Sequence, residues 1–110
     1  MVTTAREYVS LLAARLDLVG AAVIGSVARG DFNVWSDVDV VVVAHGLPDR
    51  YLDRASLLSL VPGRGIEAVA FTPQELRTAY EKGDPRVVEL ERYAVFLSGE
   101  RALKALLERV

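Results

Sequence analysis

Residues 23–43 read Val-Ile-Gly-Ser-Val-Ala-Arg-Gly-Asp-Phe-Asn-Val-Trp-Ser-Asp-Val-Asp-Val-Val-Val-Val, and this stretch limits the folds open to the chain more than any other. It predicts a buried strand, a tight Gly-Ser turn, a polar loop, and a second buried strand that opens with two carboxylates. The valines from Val40 to Val43 leave no position for a polar face, so the second strand is expected to be covered on both sides. Gly25 and Ser26 stand where the first strand gives way to a turn or helix. Glycine admits a close approach to the backbone, and free N–H groups at a helix start attract anions. Asp37 and Asp39, two apart, project from one face of a strand. Like charges so placed repel unless a cation lies between them, a role that suits Mg²⁺ with its oxygen ligands.

The remaining elements follow from periodicity and punctuation. Thr4-Ala5-Arg6-Glu7 has the form of a capping box. Tyr8, Leu11, Leu12 and Leu16 then recur at helical spacing. Gly20 is read as the turn into a first strand at Ala21–Ile24, and the second strand runs from about Asp37 to Val43. Tyr51–Leu60 reads as a helix with Tyr51, Leu52, Ala55 and Leu58 inward, after a loop containing His45. Pro62-Gly63-Arg64-Gly65 is a turn. Ile66–Phe71 is a third strand whose Glu67 is costly to bury unless it is paired or binds metal. Thr72-Pro73-Gln74-Glu75 opens a helix to about Lys82, stopped by Gly83. Asp84-Pro85 starts another through Leu97. A last amphipathic helix carries Leu103, Leu106, Leu107 and Val110. The order predicts one α/β or α+β domain over residues 1–110, a small mixed sheet flanked by helices.

Composition narrows the classes. The 110 residues contain no cysteine and one histidine, which removes disulfides and argues against a structural zinc site. A cytoplasmic location is the expectation. A net charge of −2 is unlike a nucleic-acid-binding surface. No apolar run approaches a membrane span or a signal peptide's core.

Taken singly, Gly25-Ser26 is an ordinary turn, Arg29 a solvated cation and Asp37/Asp39 a polar strand edge. Together, Gly-Ser-x-Ala-Arg-Gly, a short loop, and Ser-Asp-x-Asp before an apolar run resemble the minimal nucleotidyltransferases of the polymerase-β-like superfamily. That resemblance implies the polymerase-β-like nucleotidyltransferase fold and a Mg²⁺-dependent transfer of a nucleoside monophosphate from ATP. It implies that Gly25, Ser26, Arg29 and Ser36 hold the nucleotide. Asp37, Asp39 and Glu67 then become the catalytic and metal-binding acids. Glu67 is one methylene longer than the aspartate often found third. Phe32 and Trp35 stand where relatives tend to have small or polar residues, and are read as covering the core.

The resemblance further implies an antitoxin paired with a HEPN-domain ribonuclease, with a tyrosine of that partner as acceptor. The alternative is a silent nucleotide-binding antitoxin that masks its partner sterically. Apolar residues on the last two helical segments, Val87, Val88, Leu90, Tyr93, Phe96, Leu103, Leu106 and Leu107, exceed what three strands can cover. They therefore predict an interface with a HEPN-like partner or a second copy.

Overall fold

A computed structural model describes residues 2–30, 37–61, 63 and 65–108. Its centre is β2 (Val38–His45), the valine strand. On one side β2 pairs antiparallel with β1 (Asp17–Ile24), bringing Val40 opposite Val23 and Asp39 opposite Ile24. On the other it pairs in parallel with β3 (Ile66–Phe71). Among the described residues the mixed sheet has four strands in the order β3-β2-β1-β4, where β4 is Val95–Ser98.

The valine run is explained by two cores. Val40 and Val42 face a cluster with Ala5, Tyr8, Val9 and Leu12 of α1 (Val2–Ala13), against which Leu58 of α3 (Tyr51–Leu58) also packs. Val41 and Val43 face the opposite way. They meet Leu76 and Tyr80 of α4 (Pro73–Glu81), Val87 and Leu90 of α5 (Pro85–Arg92), and Leu103 of α6 (Glu100–Leu106). Each fully buried valine or leucine contributes about 1.5–3 kcal/mol, so neither face of β2 could turn polar cheaply. Among the described residues no helix is long and apolar enough to cross a membrane.

The helix starts after β3 and before α5 behave as expected. Thr72 and Glu75 form a reciprocal capping box with Pro73 in the first turn, and Asp84 caps α5 by accepting from Arg86 N at 2.9 Å. Other expectations are corrected. The segment predicted as one helix through Leu97 breaks after Arg92 and continues as β4 along the free edge of β1. A four-residue apolar run has no decisive period, so an available strand edge decides its conformation. Gly20 lies inside β1, at a shift in strand register. A Cβ there would stand 2.7 Å from Leu103 Cγ and 2.8 Å from the Ser98 carbonyl, so it is the close approach of α6 and β4 that requires glycine. Helix α1 already starts at Val2, which makes Thr4 an interior residue rather than a cap. Tyr51 and Leu52 point outward, 77% and 68% exposed.

The predicted surplus of apolar surface is also corrected. Val87, Leu90, Leu103 and Leu107 are buried, Phe96 and Leu106 pack against the same cluster, and of the eight residues only Tyr93 is a strongly exposed large apolar side chain. The fourth strand and the closing helix use that surface internally.

Candidate active site

Strand β1 ends at Ile24, and the chain turns at Gly25, with φ +77°, into α2 (Gly25–Arg29). A Cβ at Gly25 would lie 2.4 Å from Asp39 Oδ2. The glycine is therefore needed by the carboxylate on the neighbouring strand as well as by the turn. Antiparallel pairing sets this up, because Ile24 lies opposite Asp39.

The parallel register of β2 and β3 places Glu67 beside Asp39. Successive residues of a strand alternate faces, so both acids share the face that carries Val41, Val43 and the second core. Burial pushes the Asp39 carboxyl above the usual aspartate range; a hydrogen bond to Glu67 and the Glu67 charge push it the same way, with smaller contributions from Asp37 and Glu89. The pairing disfavours charge on Asp39, and a hard cation with oxygen ligands can relieve the same repulsion. Asp37 is exposed just before β2. It is near enough to act on Asp39 through charge, yet among the described residues no group of three His, Cys, Asp or Glu is gathered to hold a metal. Glu67, expected to be a costly buried charge, is exposed on the edge strand.

A cavity of about 400 Å³ opens over these acids. Ile24, Val40, Ala68 and Val69 supply apolar wall, while Asp39, Glu67, Glu89, Tyr51 and Arg86 supply polar atoms. Glu89 of α5 is the member that the sequence did not reveal. Its Oε2 accepts from Gly25 N at 2.8 Å and its Oε1 from Arg29 Nη1 at 2.7 Å. The groups expected to receive a nucleotide's phosphates thus hold a carboxylate of the same chain. Ser26 is the second residue of α2. Ser36, Phe32 and Trp35 lie outside the described residues. His45 is exposed at the end of β2, remote in sequence register from the acids and paired with Asp17. No periodicity or motif could have marked Glu89, whose partners lie 64 and 60 residues earlier.

The sequence profile of the nucleotidyltransferase domain matches residues 5–104. A provisionally named protein adenylyltransferase of Methanocaldococcus jannaschii is 45% identical over 42 residues, which span 38% of this chain and 29% of that protein. Among solved structures, a provisionally named nucleotidyltransferase from Sulfolobus solfataricus superposes with a TM-score of 0.64 at 24% identity, covering 87% of this chain and 78% of the other. A toxin–antitoxin complex with AMP-PNP gives 0.64 at 15% identity over 93% of this chain and 80% of the matched one. At those identities the two structures bear on the fold alone.

Proposed function

Because the chain belongs to the nucleotidyltransferase domain family, we propose that it transfers AMP from ATP to a hydroxyl group on a partner protein. The observation that carries this reading is the paired Asp39 and Glu67 in one cavity with Glu89, whose carboxylate is bound by the Gly25 N–H and Arg29 guanidinium. Acids suited to a cation and to an incoming hydroxyl proton thereby adjoin donors suited to an anion.

In this reading Gly25, Ser26, Arg29 and Ser36 receive the triphosphate. The acceptor oxygen attacks the α-phosphorus, the bond to the β-phosphate's bridging oxygen breaks, and pyrophosphate leaves with its charge met by Arg29. The acceptor's proton passes to a carboxylate of the Asp39–Glu67 pair, which the protein keeps in hydrogen-bonding range of the cavity. Asp39 and Glu67 would hold Mg²⁺, which would supply charge neutralisation on the phosphates, with Asp37 acting on the ion through its charge as it acts on Asp39. Positioning and electrostatics make up most of the protein's contribution.

A toxin partner, an antitoxin role and a cytoplasmic location belong to the same proposal, and a toxin–antitoxin complex is among the structures that share this fold. Tyr51, which lines the cavity, is exposed at the start of α3 and offers an edge on which such a partner would present its acceptor, a tyrosine of a HEPN-type protein. The competing reading, steric masking without chemistry, draws on Glu89 filling the anion donors. Incubation with labelled ATP, alone and with a HEPN-type toxin, tests the choice. Label on a partner tyrosine, lost in Asp39→Asn, is the expected result. Equal labelling by that variant, or neutralisation of the toxin without nucleotide, overturns the enzymatic reading.

A further inference from the structure

We infer that Glu89 is an internal stand-in for a nucleotide phosphate, which must leave the Gly25–Arg29 seat before a triphosphate can enter. The inference rests on the proposed nucleotide reading of that seat. Both Glu89 oxygens are engaged, one by a backbone N–H and one by a guanidinium, at 2.8 and 2.7 Å. A carboxylate offers only acceptors, as a phosphoryl group does, and both satisfy a guanidinium in the same forked manner. Two anions cannot occupy one pair of donors, so nucleotide and Glu89 exclude each other.

The displaced side chain has a nearby destination. Arg86 precedes Glu89 by three residues on α5, the spacing at which helical side chains meet. It lines the same cavity, lies over the Phe71 ring at 5.5 Å from the centroid, and reaches Asp84 only at 3.5 Å. A swing of Glu89 from Arg29 toward Arg86 keeps its charge paired while it withdraws the carboxylate from the Gly25 N–H and from Arg29 Nη1. The empty-handed protein is then a closed state, and nucleotide affinity is reduced by the fraction of molecules whose seat is open.

Calorimetric titration of the full chain with Mg-ATP and with inorganic tripolyphosphate, in wild type, Glu89→Gln and Glu89→Ala, tests this, with urea melts on the same samples. If the seat is open in about one molecule in ten, Glu89→Ala binds both probes about tenfold tighter than wild type. Its melting midpoint in urea falls. Glu89→Gln, which keeps an oxygen for the Gly25 N–H but not the charge, falls between and carries the test if the alanine variant fails to fold. Wild-type binding with unchanged or weakened binding by the variants overturns the inference and makes Glu89 a strut between α2 and α5, leaving the nucleotide reading intact. Cooperative melting of all forms with binding by none overturns the nucleotide reading and the inference together.

Discussion

Gly25→Ala measures how tightly the site is built around one missing methyl group. The new Cβ would stand 2.4 Å from Asp39 Oδ2 and 3.6 Å from Asp39 Cβ. The backbone cost comes first: φ is +77°, and the left-handed region costs an L-residue about 1–2 kcal/mol. The second cost is the overlap with the carboxylate, comparable to overpacking a core by one methyl, about 1–3 kcal/mol. Together they amount to about 2–5 kcal/mol, which over most of that range leaves a domain with the usual 5–15 kcal/mol of stability folded. In an Asp39→Ala background only the contact at 3.6 Å remains, which is ordinary packing, and the second cost vanishes. A double-mutant cycle by urea melts should therefore give a coupling of about 1–3 kcal/mol. With slopes of about 1–3 kcal/mol per molar urea, that coupling is a shift of about 1 M in midpoint. Equal costs of Gly25→Ala in both backgrounds would refute the reasoning, because Asp39 would then be free to turn aside and would not be held against the turn.

Asp39→Asn should leave the fold intact, abolish transfer, and slightly raise the melting temperature at neutral pH. The raised folded-state pKa of Asp39 means that the wild type loses stability as pH climbs through it, so melts from about pH 8 down to pH 4 should show the advantage of asparagine shrinking. Arg54 grips both oxygens of Glu75, at 2.6 and 3.0 Å, and also donates to the Pro48 and Ala70 carbonyls, so Arg54→Ala should cost about 2–3 kcal/mol in urea melts. The hydrogen bond from Arg54 is the main cause that holds the Glu75 carboxyl below its usual range; that stability is lost as pH falls through the folded-state pKa, and Arg54→Ala should flatten the acid limb of the melting profile. Leu103, fully buried over Gly20, should cost about 2–5 kcal/mol on truncation to alanine; half-buried Leu106 should cost clearly less by the same melts.

The parts of the fold legible in the sequence are those whose signals are local. Thr72, Pro73, Glu75 and Gly83 carry their own capping chemistry, and α4 starts and stops where they say. The valines of β2 announce burial on both faces because no other environment tolerates such a run. Val95–Leu97 carried no such signal; the edge of β1 made them a strand. The outward turn of Tyr51 and Leu52 was likewise invisible, since a helix with a short apolar stretch does not say which residues of it will find a wall. The overestimate of exposed apolar surface followed from the missing strand, because β4 and α6 are what close the second core.

The acids were legible as residue types, but their arrangement depends on register. Parallel pairing sets Asp39 against Glu67 through the step that also sets Val38 against Ile66, and the bond from Val38 N to the Gly65 carbonyl at 2.8 Å begins that ladder. A slip of one residue would turn Glu67 to the opposite face and leave Asp39 without its neighbour. The face they share continues through Val41 and Val43 into the core that α5 covers, which is why a residue of α5, Glu89, reaches the same cavity. One register choice thus gathers acids from β2, β3 and α5 around a single opening, while the turn at Gly25 brings the N–H that one of them captures. Crowding of like charge follows from that convergence, and it is what lifts the Asp39 pKa beyond the effect of burial. That crowding favours the uncharged form of Asp39, Arg29 meets the charge of Glu89, and in the proposed reaction Mg²⁺ and its triphosphate would meet the rest. Stability and binding therefore draw on the same groups. Asp39→Asn, which relaxes the crowding without taking a partner from Gly25 or Arg29, should gain the first as it loses the second, whereas Glu89→Ala gives up two hydrogen bonds and should lose stability.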